Sequence, residues 1–99
     1  MGYNLYITKA DHPVNSKKDP ITSKMWAEIV KADEELEFVE NSKASVLWLD
    51  ASGDDRGRLL LLHGKIIAKN PSDELIRKMV NLAGKLEARV IGDEGEPYT

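Results

Sequence analysis

RLLLLHGKIIAKNPSDELIRKMVNLAGKLEARVIG, residues 58–92, decides how the chain folds. Leu59 to Leu62 is apolar without a period and in isolation fits helix or strand equally. The two-residue connection His63-Gly64 and the branched pair Ile66-Ile67 after it favour a hairpin, with Gly64 taking a positive φ at little cost. Asn70 then reads as an N-cap, Pro71 as the first helical residue, and Asp73 and Glu74 as charge matched to the positive end of the helix dipole. Leu75, Ile76, Met79, Val80, Leu82, Ala83 and Leu86 form a wide apolar stripe opposite a wet face of Glu74, Arg77, Lys78, Asn81 and Lys85. Such a stripe must dock, and a sheet is the surface large enough to take it. Gly84, inside this helix, predicts close backbone approach to a strand. Ala88 to Gly92 returns as a strand, and the crossover predicts that KIIAK and ARVIG run parallel.

Toward the N-terminus, Tyr3 to Thr8 alternates, with Tyr3, Leu5 and Ile7 on one face and Asn4, Tyr6 and Thr8 on the other, as a strand requires. Ala10 to Pro20 has the composition of a surface loop. Thr22 can cap a first helix, with Ile21 placed to staple onto Trp26, and Trp26, Ile29 and Val30 share the face that must be buried. Three acids, Asp33 to Glu35, oppose the dipole at its C-terminal end and predict fraying there. A short strand around Glu37 to Glu40 follows. Ser45 to Asp50 is a strand with Val46 and Trp48 on one face and Leu47 and Leu49 on the other, apolar on both and therefore interior to the sheet. Ala51 to Gly57 reads as a turn. The expected class is α+β: one domain over 1–99 with a mixed, mainly antiparallel sheet of five to six strands and two helices packed on one face. That is close to a ferredoxin-like sandwich enlarged by a hairpin.

Ninety-nine residues are of single-domain size, and 41% hydrophobic with 31% charged suits a globular protein. No apolar run approaches the roughly 20 residues that cross a bilayer, and no leader pattern opens the chain. The expectation is therefore a cytoplasmic protein with no membrane partner. The absence of cysteine removes thiolate chemistry, disulfides and Cys-based zinc sites. A net charge of -3, with lysines scattered among acids, argues against nucleic acid as a partner.

His12 and His63 lack metal-ligand spacing. Asp50 to Asp55 invites comparison with a calcium loop, but Asp55 stands where glycine is needed and Leu61 where glutamate is needed. No phosphate-binding loop, nucleophile elbow or dinucleotide fingerprint occurs. No metal, no cofactor and no catalytic residue are expected. Two constellations carry candidate binding chemistry. Asp93, Glu94 and Glu96 with Tyr98, joined by Asp54 and Asp55, offer an acidic surface to a basic protein. Asp11-His12 beside Tyr6 offers an acid and base pair, and with Trp48 a pocket.

From YNLYITKA at residues 3–10, through Ile21-Thr22 and Trp26, to IAKNP at residues 67–71, Ala88-Arg89-Val90, GDEGE at residues 92–96 and Tyr98, the chain resembles a family of small uncharacterised bacterial proteins. The resemblance spans nearly the whole length and implies a bacterial, single-domain origin. It transfers no activity and no catalytic residues. Met25 stands where the family usually has the glutamate of a capping box, and RLLLLHG replaces its tryptophan- and aspartate-rich central strands. Small acidic α+β proteins are often immunity or adaptor proteins. The leading expectation is thus a non-enzymatic interaction module of an immunity-like kind. A small ligand-binding domain or enzyme using Tyr6, His12 and Trp48, and a self-associating homo-oligomer built on Leu47, Leu49 and LLLL, are the competing ones.

Overall fold

The computed structural model describes residues 3–10, 15–42, 44–49 and 52–98. Its elements are β1 (Asn4–Thr8), α1 (Ser23–Ala32), β2 (Leu36–Phe38), β3 (Ser45–Leu49), β4 (Asp55–Leu62), β5 (Lys65–Lys69), α2 (Asp73–Lys85), β6 (Arg89–Gly92) and β7 (Pro97–Tyr98). The sheet has the order β2-β3-β4-β5-β1-β6-β7. Every adjacent pair is antiparallel, so the sheet is not mixed, and it has seven strands where five or six were expected. β5 and β6 do run parallel, as the crossover requires, with β1 between them. β1 and β2 also point the same way, separated by β5, β4 and β3. Two interleaved strand-helix-strand units therefore make a ferredoxin-like, two-layer arrangement, extended by the β2–β3 hairpin at one edge and by β7 at the other.

One face of the sheet holds the core. Leu5, Ile7, Leu36, Val46, Leu59, Ile66, Ala68 and Val90 are buried there against Trp26 and Val30 of α1 and Leu75, Met79, Leu82 and Ala83 of α2. Trp26 is fully buried, and its indole N–H donates to the Ala44 carbonyl (3.2 Å), so the ring's one polar atom is satisfied. Thr22 Oγ1 accepts from the Met25 amide (3.1 Å), as a helix N-cap should.

Three local expectations give way to longer-range contacts. The cap of α2 is Ser72, whose Oγ accepts from the Leu75 amide (3.2 Å), and not Asn70. Asn70 instead takes a φ of 47° and pairs with Tyr3, giving its N–H to the Tyr3 carbonyl and accepting from the Tyr3 amide, both at 2.8 Å. Asp55 to Gly57 is strand, because β3 continues to pair past Arg58 to Gly57 and, across a bulge, Asp55. Gly84 is exposed and approached by nothing, so the close approach belongs to Gly57: a Cβ there would lie 2.7 Å from Leu75 Cδ2. The hairpin turn is as expected, with His63 (φ 53°) and Gly64 (φ 82°) both left-handed. Gly64 is doubly required, since a Cβ would also lie 2.8 Å from the Ser16 carbonyl oxygen in the loop that crosses this turn.

Candidate functional site

Residues opposite one another in a register share a face, and this places a second apolar surface on the side of the sheet away from both helices. Ser45, Leu60, Ile67, Tyr6, Ile91 and Pro97 form a continuous row across it. Leu47, Leu49 and Leu62 extend the row, and Leu62 is 42% exposed. Around these stand Arg58 beside Leu47, Lys65 beside Leu62, Lys69 beside Asn4, and Arg89 beside Thr8. Lys65 Nζ lies 5.9 Å from the centre of the Tyr6 ring, a cation–π separation. One corner is covered: Thr8 and Ser16 are buried together with their hydroxyls 2.7 Å apart. In a chain whose net charge is -3, this face is locally cationic.

The acidic turn between β6 and β7 is built differently from the expectation. Asp93 Oδ1 accepts from the Tyr6 hydroxyl (2.6 Å) and its Oδ2 from the Asn4 amide (2.8 Å). The Tyr6 bond holds the Asp93 carboxyl below the usual carboxylate range, and the Asn4 amide adds to that. The same hydrogen bond raises the Tyr6 phenol above its ordinary value, helped by burial. Asp93 therefore ties the last turn to the first strand. The Glu96 carboxylate oxygens are buried beside Gly92 and the Tyr3 hydroxyl, and the Tyr98 hydroxyl lies 3.4 Å from that of Tyr3. Pro97 and Tyr98 pair with β6 and so form a strand. Of the acids expected to form a docking surface here, Glu94 is the exposed one left without a hydrogen-bond or ion-pair partner among the described residues.

Tyr6 and Trp48 do not share a pocket. Trp48 pairs with Leu36 and Gly57 and packs on the helix side, whereas Tyr6 is on the open face. The strand period alone could have separated them only once the strand order was known. His12 and Asp11 lie outside the described residues.

A cluster that sequence reasoning missed joins the two layers. Lys78 Nζ donates to Asp33 Oδ2 and Glu35 Oε1, both at 2.7 Å, and the Trp48 indole N–H donates to Glu35 Oε1 (3.3 Å). The side chains of Lys78 and Asp33 are 11% and 9% exposed. Burial pushes the Asp33 carboxyl up, but the Lys78 hydrogen bond, the Glu35 amide and the Lys78 charge together outweigh it, and the net direction is down. Burial likewise opposes the Lys78 charge, and the two carboxylates more than restore it, so its ammonium is held above the ordinary lysine value. The acids that oppose the α1 dipole are thus neutralised from α2, 45 residues away for Asp33. The cluster is structural, with its cation fully engaged.

No group of three histidines or acids gathers as a metal site among the described residues, and no helix there is long and apolar enough to cross a membrane. Comparison with known proteins returned no matching family model, no matching curated protein and no matching solved structure.

Proposed function

We propose that the chain is a non-enzymatic protein-interaction module whose docking surface is the open face of its sheet, and that the partner is an acidic polypeptide surface. The observation that carries this is the half-buried Leu60–Ile67–Tyr6 row, which has no second layer among the described residues and is bordered by Arg58, Lys65, Lys69 and Arg89. An apolar centre with a charged rim is the anatomy of a protein interface. The acids on this face are Glu37, across from Leu47, Asp55, across from Leu49 and 3.9 Å from Arg58, and the Asp93 that Tyr6 engages. A second copy laid face to face would set these cations against their own counterparts, which favours a different, acidic partner over self-association. The acidic turn is the weaker docking surface because Asp93 is engaged by Tyr6 and Asn4 and the Glu96 oxygens are buried.

The test is retention of a protein from lysate by the immobilised chain and by folded variants. Arg58→Glu, Lys65→Glu and Lys69→Glu are expected to lose a stoichiometric partner that Glu94→Lys keeps. The reverse pattern would return the docking surface to the acidic turn, and dependence on neither set would remove both.

A further inference from the structure

We infer that the cleft where β4 and β5 part receives an acidic, extended polypeptide segment by backbone pairing along β4. This deepens the docking reading above and rests on it. A two-residue hairpin closes narrow hydrogen-bonded rungs at every second residue pair, here Leu62 with Lys65 and Leu60 with Ile67. The next rung, Arg58 with Lys69, is not formed, although β4 continues to Asp55 and β5 to Lys69. The Leu61 amide donates to Ala44 on the β3 side. Alternation along the strand therefore turns the backbone N–H and C=O of Arg58 toward β5. The same alternation turns those of Lys69 toward β4, because Asn70 gives its N–H to Tyr3 on the other side.

The parting has a cause. Asn70 is drawn to Tyr3, the chain then rises into α2, and Leu75 of that helix rests on Gly57. A cleft of about 700 Å³ opens there, lined by Asn4, Asp55, Arg58 and Lys69 together with Leu60, Ile67 and Leu75. That is within the range of roughly 300–1,000 Å³ typical of ligand sites. It is continuous with the open face through Leu60 and Ile67, and the Arg58 backbone turned toward it offers the kind of groups that strand addition uses.

The incoming segment's chemistry follows from the pleat. A residue opposite Arg58 sends its side chain to the open face, between Arg58 and Lys69, where a carboxylate is complementary. Among the described residues the Arg58 guanidinium meets only Asp55, at 3.9 Å, and it is otherwise exposed. Neighbouring residues of the segment point to the helix side, toward Leu75, which already lies against Gly57, so the side chains suited to it are small and apolar. The occupant is thus an acidic residue between two small apolar ones in extended conformation.

The probe is an acetylated, amidated heptapeptide of valine alternating with glutamate, followed by amide NMR shifts of the whole chain. Millimolar peptide is expected to shift the amides of Arg58, Leu60, Lys69 and Asn70, and to slow hydrogen exchange at Arg58 and Lys69. Replacing glutamate by lysine should abolish the response, and N-methylation of the central residues should weaken it at least tenfold. Arg58→Glu with Lys69→Glu should abolish it too, in a variant whose remaining spectrum is native. No response, or one indifferent to N-methylation, overturns strand pairing. Lys65 lies on the face but outside the cleft, so the retention experiment separates the two readings. A silent peptide with a partner still lost by Lys65→Glu ends this inference alone; a partner indifferent to every reversal ends both.

Discussion

Replacing Lys78 by Met removes the cation that hydrogen-bonds Asp33 and Glu35 while keeping most of the side chain's volume. Breaking a buried pair by removing one partner costs about 3–5 kcal/mol, because the remaining charge stays desolvated. Asp33, 9% exposed, is in that position; Glu35, more than half exposed, is screened by water and adds little. The expected loss is therefore about 3 kcal/mol, the lower end of the range, or a fall in Tm on the order of 10–20 °C for a domain of this size. Urea unfolding followed by tryptophan fluorescence measures it. The control is Asp33→Asn added to Lys78→Met: the amide oxygen can still accept from the Glu35 N–H, as Oδ1 does at 2.9 Å, but the buried charge is gone. The double variant should be more stable than Lys78→Met by about 1–2 kcal/mol. The pH dependence is fixed in sign. A carboxyl lowered on folding contributes fully above its ordinary pKa, and the contribution is lost as pH falls through the lower folded value. An ammonium raised on folding contributes fully below its ordinary pKa and loses that contribution as pH rises through the higher folded value. The difference between native chain and Lys78→Met should be flat from about pH 5 to about pH 10 and shrink at both ends. A loss below about 0.5 kcal/mol, or no recovery in the double variant, refutes the claim that Asp33 is desolvated.

Gly84→Ala, at an exposed helical site that nothing approaches, should stabilise by about 0.5–1 kcal/mol, whereas Gly57→Ala, pressed on Leu75, should destabilise by about 1 kcal/mol or more in the same unfolding assay. His63→Asn should raise stability by a few tenths of a kcal/mol to about 1 kcal/mol, because asparagine accepts the φ of 53° more readily. Tyr6→Phe should cost about 1 kcal/mol near neutral pH through the bond to Asp93, discounted for its exposure. The Asp93 carboxyl is lowered on folding, so that difference should fade as pH drops below the ordinary carboxylate range, which an acid titration of Tm would reveal.

The hairpin at His63-Gly64, the stripe of α2 and the alternation of β1 were legible because each is written within a dozen residues. The ends of elements were less so. DDRG at residues 54–57 has turn composition, yet pairing with Leu47, Trp48 and Leu49 draws its last three residues and Arg58 into β4. Asn70 has the better capping chemistry on paper, yet Tyr3 takes it and Ser72 caps instead. The four leucines of β4 hid their period because Leu59 and Leu61 serve the helix face and Leu60 and Leu62 the open one. The candidate site was the least legible part. Asp93 looks free in sequence and is bound to Tyr6, 87 residues distant; Lys78 looks like a solvated helix residue and is nearly buried. Strand order decides both, and local pattern does not contain strand order.

The central place of β1 makes the chain divisible. β1 is followed by the connection to α1, yet it fills the slot between β5 and β6 with Leu5 and Ile7 sealed beneath the helices. Severed in that connection, the larger piece would retain both helices and every other strand but present an empty groove in the middle of its sheet. A synthetic peptide of residues 3–10 should then restore the native state in trans, and a reporter fused to that peptide would make this small domain a self-assembling tag.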